Sequence, residues 1–108
     1  MSTTEFAAEL HREDDLAVLG LAGDISGAAE GGLLEAYAGV KGEDVVVLDF
    51  SNVDYINSTG IALIVGLLAE ARRSGQEVRA RGLAAHYREI FRITRLSDFM
   101  TILDDEGE

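Results

Sequence analysis

A chain of 108 residues has room for one compact domain, and 47% hydrophobic against 27% charged residues supply enough apolar side chain to bury a core, which argues against disorder. Nine Lys and Arg against 20 Asp and Glu leave a formal charge of −11, which repels nucleic-acid phosphates and anionic lipid headgroups, so neither nucleic acid nor a membrane is an expected partner. The absence of Cys removes disulfides, thiolate metal sites and Cys nucleophiles.

The first ten residues have neither the basic region nor the apolar run of a secretory signal, and no apolar stretch approaches the length that spans a bilayer, so a cytoplasmic protein is expected. Phe6, Ala8 and Leu10 alternate with polar or small neighbours, and an apolar run over residues 16–22 follows the acidic turn Glu13-Asp14-Asp15; the pattern predicts a two-stranded hairpin. Ser26 is the predicted cap of a helix running to about Ala38, with Leu33, Leu34 and Tyr37 at helical spacing and Gly39 as its stop. Gly31 and Gly32 weaken that helix by about 1 kcal/mol each relative to Ala.

Residues 44–50 carry three consecutive Val without alternation, the mark of a strand buried on both faces and so central in a sheet. Residues 51–59 read as a turn-rich connection, and residues 60–74 as a helix so apolar around its circumference that burial on nearly all sides is expected. Gly75 ends it. Residues 77–81 alternate like an edge strand with Arg79 and Arg81 pointing outward, and residues 84–95 form an amphipathic helix with Tyr87, Ile90, Phe91 and Thr94 inward and Arg88, Arg92 and Arg95 on the other side. Residues 99–103 suit a last short strand, and residues 104–108 a frayed acidic tail. The order ββαβαβαβ predicts an α/β fold, one domain over residues 1–108 with a mixed sheet backed by helices.

Asn57-Ser58-Thr59-Gly60 stands where the connection from the central strand turns into the most apolar helix, so Ser58 or Thr59 is the expected cap. A hydroxyl at a helix N-terminus is also accessible, and a phosphate placed there meets a favourable dipole. Ser58 is a poor enzyme nucleophile: the Gly-x-Ser-x-Gly elbow is broken by Ile56, and neither His11 nor His86 has the context of a base. Asp49, at the end of the central strand, invites comparison with the phospho-accepting Asp of receiver domains, but the acidic pair after a first strand and the late Lys are missing, Lys41 being the sole Lys. Asp14-Asp15 and Asp104-Asp105 lack the ligand spacing of a metal loop. No catalytic residue, metal or cofactor is therefore expected. Residues 1–57 hold 12 acidic and 2 basic groups, whereas seven Arg face Glu77 and Glu89 over residues 72–95, and balance between the two halves is the expected use of the Arg cluster.

The stretches Val47-Leu-Asp-Phe-Ser-Asn-Val-Asp-Tyr-Ile-Asn-Ser-Thr-Gly60 and Tyr87-Arg-Glu-Ile-Phe-Arg-Ile-Thr-Arg-Leu96, with the early turn Gly23-Asp24-Ile25, resemble the STAS domains of bacterial anti-sigma factor antagonists. In that family a buried strand leads to Asp-Ser-Ser/Thr-Gly at the head of a helix, beside an early Gly-Glu/Asp-Leu/Ile-Asp turn. The resemblance covers roughly residues 5–103 and implies that Ser58 is the phosphorylated residue, with Thr59 as the second candidate. It further implies that the unphosphorylated protein binds an anti-sigma factor with Ser/Thr kinase activity and frees the sigma factor, that phosphorylation ends the binding, and that a Ser/Thr phosphatase restores it. The protein would then be a kinase substrate and no enzyme. Ser26, Gly27, Asn57, Ser58, Thr59 and Gly60 are the expected partner-binding residues, on two loops that the likeness sets side by side. Three positions depart from the family: Asn57 replaces its usual Asp, Ser26 replaces the Asp that closes the early turn, and Arg95 stands where many members have Gly. A non-phosphorylated STAS interaction module in a transporter or sensory assembly is the alternative under the same resemblance.

Overall fold

Asp14 and Asp15, at φ 52° and 70°, close a two-residue turn between strands β1 (Ala7–Glu13) and β2 (Leu16–Ile25), the expected hairpin. The computed structural model describes residues 4–103, so the expected acidic tail over 104–108 lies outside the described residues. After β2 the chain continues through a 3-10 turn (Gly27–Ala29), helix α1 (Glu30–Ala38), strand β3 (Val45–Ile56), helix α2 (Ser58–Arg73), strand β4 (Glu77–Arg81), helix α3 (Ala85–Ile93), a second 3-10 turn (Leu96–Asp98) and the two-residue strand β5 (Thr101–Ile102). The sheet order is β1-β2-β3-β4-β5, antiparallel between β1 and β2 and parallel thereafter. This is the α/β architecture with a mixed sheet that the element order predicts.

All three helices lie on one face. Leu33 and Tyr37 of α1, Ile64, Leu67 and Leu68 of α2 and Phe91 of α3 join one core with Ala17, Leu19 and Leu21, Val46, Leu48 and Phe50, and Val78 and Ala80, every second residue of their strands. Phe91 meets Phe50 edge-on, ring centroids 6.0 Å apart, which docks α3 on the central strand. Among the described residues the other face carries no helix, yet Val18 and Val47 are only 1% and 3% exposed on it. Across that face the Arg81 guanidinium reaches from β4 to β1, donating two bonds of 2.8 Å to the Glu13 carboxylate, while its Nε donates to Asp49 at 3.1 Å. A charged side chain laid across a sheet can cover apolar surface with its stem.

Several expectations need correction. The polar stretch after Phe50 is not a turn: β3 runs on to Ile56 because β2 pairs with it as far as Ile25↔Ile56, through two register shifts, and the exposed Ser51, Asn52, Asp54 and Tyr55 are strand residues facing solvent. Ser26 makes no side-chain cap; its carbonyl accepts the Ala29 amide at 2.9 Å, and the helix starts one 3-10 turn later than expected. Helix α2 is buried along one face only, since Ala62, Val65, Gly66 and Ala69 are exposed. Strand β4 is not the edge, because β5 pairs beside Arg79 and Ala80, and Arg81 points along the open face into ion pairs rather than into solvent. The Arg cluster mostly balances locally, in Arg73–Glu70, Arg79–Glu77, Arg92–Glu89 and Arg95–Asp98; Arg81 alone among these Arg residues is paired with the acidic half.

Candidate functional site

Strands β2 and β3 end side by side, and the last two carbonyl and amide groups of that ladder build the head of α2. The Ile25 carbonyl accepts the Asn57 amide at 3.2 Å, while Asn57 itself, at φ −96° and ψ −177°, is extended. From there its side chain turns back: Asn57 Oδ1 accepts the Gly60 amide at 2.8 Å and its carbonyl accepts the Ile61 amide at 2.9 Å. Asn57 is therefore the cap of α2, in place of Ser58 or Thr59 as read from the sequence. The reason is positional: only the residue still in extended geometry can aim its side chain at the third amide of the helix. Gly60 is required here, because a Cβ would collide with the Ile25 carbonyl.

With the cap supplied by Asn57, the hydroxyls of Ser58 and Thr59 are not consumed by the helix. Both residues are exposed in the first turn of α2, a turn with no acidic side chain, and among the described residues no side-chain hydrogen bond engages Ser58. Gly27 lies beside them: a Cβ on it would sit 3.5 Å from Thr59 Cγ2. The structure thus brings Ser26, Gly27, Asn57, Ser58, Thr59 and Gly60 to one end of the sheet. Residues 13–40 and 42–71, the segments that carry these six positions, include no Lys or Arg, whereas they include Asp24, Glu30 and Asp54. A phosphate on Ser58 would meet helix amides but no Lys or Arg from these segments.

Two supports of the site were not read from the sequence. The Ile25 backbone carbonyl, which seats both Asn57 and Gly60, carries no side-chain signal. Tyr87 of α3 accepts the Ile56 amide on its hydroxyl at 2.9 Å, fixing the last residue of β3; its inward helical spacing predicts burial but not that polar partner. Tyr55, two residues before Asn57 on β3, is 53% exposed.

The remaining candidates lie elsewhere. His11 bonds Glu13 at 2.8 Å on the open sheet face, and His86 packs against Tyr87 with ring centroids 5.0 Å apart. Asp49 accepts from Ser51 and Arg81; burial pushes its carboxyl up, but these bonds outweigh it and hold the group below its ordinary value. Bonds from Arg81 and then His11 lower the Glu13 carboxyl to about 2. Both carboxylates are engaged in holding the open face together. Among the described residues no group of three or more His, Asp or Glu could hold a metal ion, and no helix is long and apolar enough to cross a membrane.

Comparison with known proteins places this geometry in a family. A family model described as "Mlab, STAS domain" matches residues 8–104. The chain is 37% identical over 75 residues to the anti-sigma-B factor antagonist of Listeria monocytogenes, an overlap of 69% of this chain and 65% of that protein, so it spans just under two thirds of that relative. Its fold is similar to the crystal structure of an anti-sigma factor antagonist from Mycobacterium paratuberculosis, with a TM-score of 0.70 at 22% identity over 91% of this chain and 85% of that one. It is also similar to the anti-sigma factor antagonist SpoIIAA in its unphosphorylated form, with a TM-score of 0.68 at 14% identity over 93% and 88% of the two chains. The resemblance seen in the motifs holds across nearly the whole described chain, and the chain belongs to the STAS-domain family.

Proposed function

We propose that the protein is an anti-sigma factor antagonist whose α2 head, with the Ser26–Gly27 loop beside it, docks a Ser/Thr kinase-type anti-sigma factor and so frees a sigma factor, and that phosphorylation of Ser58 ends the docking. The observation that carries this reading is the Asn57 cap: it leaves the Ser58 hydroxyl free and exposed at a helix N-terminus. The likeness to an anti-sigma-B factor antagonist supports the partner class. In this reading the protein works in the cytoplasm as a substrate of the kinase, catalyses nothing itself, and is reset by a Ser/Thr phosphatase.

The switch follows from where charge can be solvated. Phosphate adds about −1.5 to −2 charge, and in the free protein water and the first amides of α2 accommodate it, so the fold is little affected. In a docked interface the same group loses water, on a surface that has no cation of its own from residues 42–71. A desolvated, unmatched charge costs several kcal/mol, and about 4 kcal/mol weakens binding nearly a thousandfold. Thr59, on the same turn, is the second acceptor.

Calorimetric titration of a cognate anti-sigma factor with wild type, the Ser58 phosphoprotein, Ser58→Ala and Ser58→Asp tests this. Wild type and Ser58→Ala should bind alike, and the other two should bind poorly while melting near wild type. Equal affinity for all four forms would sink the mechanism. The neutral Asn57 and Ser26 favour a second reading, a STAS interaction module in a transporter or sensory assembly that is never phosphorylated. Incubation with ATP and the kinase separates the two: phosphate on Ser58 supports the switch, and none supports the module.

A further inference from the structure

The outer edge of β1 matches itself. Among the described residues strand β1 ends the sheet order and pairs with β2 alone, in a register unbroken from Ala7↔Ala22 to Glu13↔Leu16. A two-residue turn with both residues at positive φ makes Glu13 and Leu16 a hydrogen-bonded pair, and such pairs recur at every second residue. The backbone groups of Glu13, His11, Glu9 and Ala7 therefore face β2. Those of Arg12, Leu10 and Ala8 face outward, where no strand among the described residues meets them. The edge has no proline, and its one large apolar side chain, Leu10, is 47% exposed. Long unpaired edges of this kind accept a further strand.

We propose that this edge pairs antiparallel with the same edge of a second copy of the chain, the two-fold axis passing between the two Leu10 residues, so that two five-stranded sheets become one. Self-complementarity of the edge selects the occupant, and charge selects the register. Centred on Leu10, the strand pairs over its full length, with Ala7 opposite Glu13, Ala8 opposite Arg12 and Glu9 opposite His11 of the other copy. The outward groups of Ala8, Leu10 and Arg12 then meet in about six backbone hydrogen bonds. Glu9 and His11 fall at the non-hydrogen-bonded positions, where facing side chains approach most closely and opposite polarity stabilises. Centring on Glu9 instead would set Glu9 against Glu9, and centring on His11 would set Glu9 against Glu13. On the helix-bearing face Leu10 covers Leu10, and Arg12, whose guanidinium pairs with Glu43 of its own chain, comes opposite Ala8, beside the groove of about 380 Å³ between β1 and α1 that is lined in part by Leu10, Gly39 and Glu35.

Sedimentation equilibrium of the full chain over a wide concentration range tests the proposal. A reversible dimer is expected, with amide exchange at Ala8, Leu10 and Arg12 slowing as concentration rises. Leu10→Pro removes an N–H that the monomer does not use and should abolish the dimer. If that variant folds poorly, charge exchange serves instead: Glu9→Lys should weaken the dimer about tenfold, and adding His11→Glu should restore it. A chain monomeric at every concentration, or a dimer indifferent to Leu10→Pro and to Glu9→Lys, overturns the proposal. A dimer weakened by Glu9→Lys and not restored by the double variant overturns the Leu10-centred register.

Discussion

The Ile25 carbonyl oxygen lies against the Cα of Gly60 so closely that no side chain fits between them. That contact locks the end of β2 to the head of α2 and places the Gly27 loop beside Thr59. Gly60→Ala should therefore destabilise the protein by about 1–3 kcal/mol, as overpacking does, in urea denaturation. Gly66→Ala, in the same helix but with open space where its Cβ would be, should stabilise it by about 0.5–1 kcal/mol. Equal effects of the two would mean that the close approach at residue 60 is not there.

Asn57→Ala removes the oxygen that accepts the Gly60 amide and should cost about 1 kcal/mol. Asn57→Asp keeps the acceptor and adds an anion at the positive end of α2, so it should be neutral or stabilising by about 0.3–1 kcal/mol at low salt. Thermal melts of the two variants check the assignment. If Ser58→Ala and Thr59→Ala were the destabilising changes and Asn57→Ala were silent, the cap would belong to a hydroxyl.

Acid should loosen the open sheet face before the core. The Glu13 carboxyl is held at about 2 by Arg81 and His11, below its ordinary 4.5, and Asp49 is also lowered once burial is outweighed by Ser51 and Arg81. A group whose folded-state pKa is depressed contributes stability that is complete above its unfolded value and lost as pH falls through the folded one. The Glu13 contribution is thus full above about pH 4.5 and disappears towards pH 2. Glu13→Gln should flatten the pH dependence of stability in that window, as read by urea midpoints at successive pH values. An unchanged slope would mean that the pair with Arg81 does not form in solution.

Arg95 occupies the left-handed region at φ 69°, where a side chain costs about 1 kcal/mol and glycine is at ease. Arg95→Gly should raise stability by about 0.5–1 kcal/mol despite losing the exposed pair with Asp98, which is worth little. A fall in the urea midpoint would show that the pair or the stem of Arg95 matters more than the strain.

Much of the fold was legible because its signals are local. Asp14-Asp15 between two alternating runs, the three Val of β3 and the apolar run of α2 each depend on neighbours in sequence, and the predicted hairpin, central strand and helix stand, the helix being buried along one face instead of nearly all round. The Asn57-Ser58-Thr59-Gly60 motif likewise marked the site, since a polar cluster before an apolar helix reads as a helix start whatever the surroundings.

What only the tertiary structure decided concerns partners far apart in the chain. Whether Ser51, Asn52 and Asp54 form a turn or a strand depended on the ladder that β2 offers as far as Ile25, and those backbone hydrogen bonds outweigh a composition that favours turns. Which residue caps α2 depended on where that ladder stops: Ile25 holds the Asn57 amide and keeps Asn57 extended, so its side chain rather than that of Ser58 or Thr59 meets Gly60. On the open face, where Val18 and Val47 are buried, Arg81 on β4 pairs with Glu13 on β1, an encounter that composition counts as surface charge. The amino-acid sequence determined the elements and the family, through periodicity and short motifs. Backbone hydrogen bonds and ion pairs between distant strands decided where each element ends and which hydroxyl is left free.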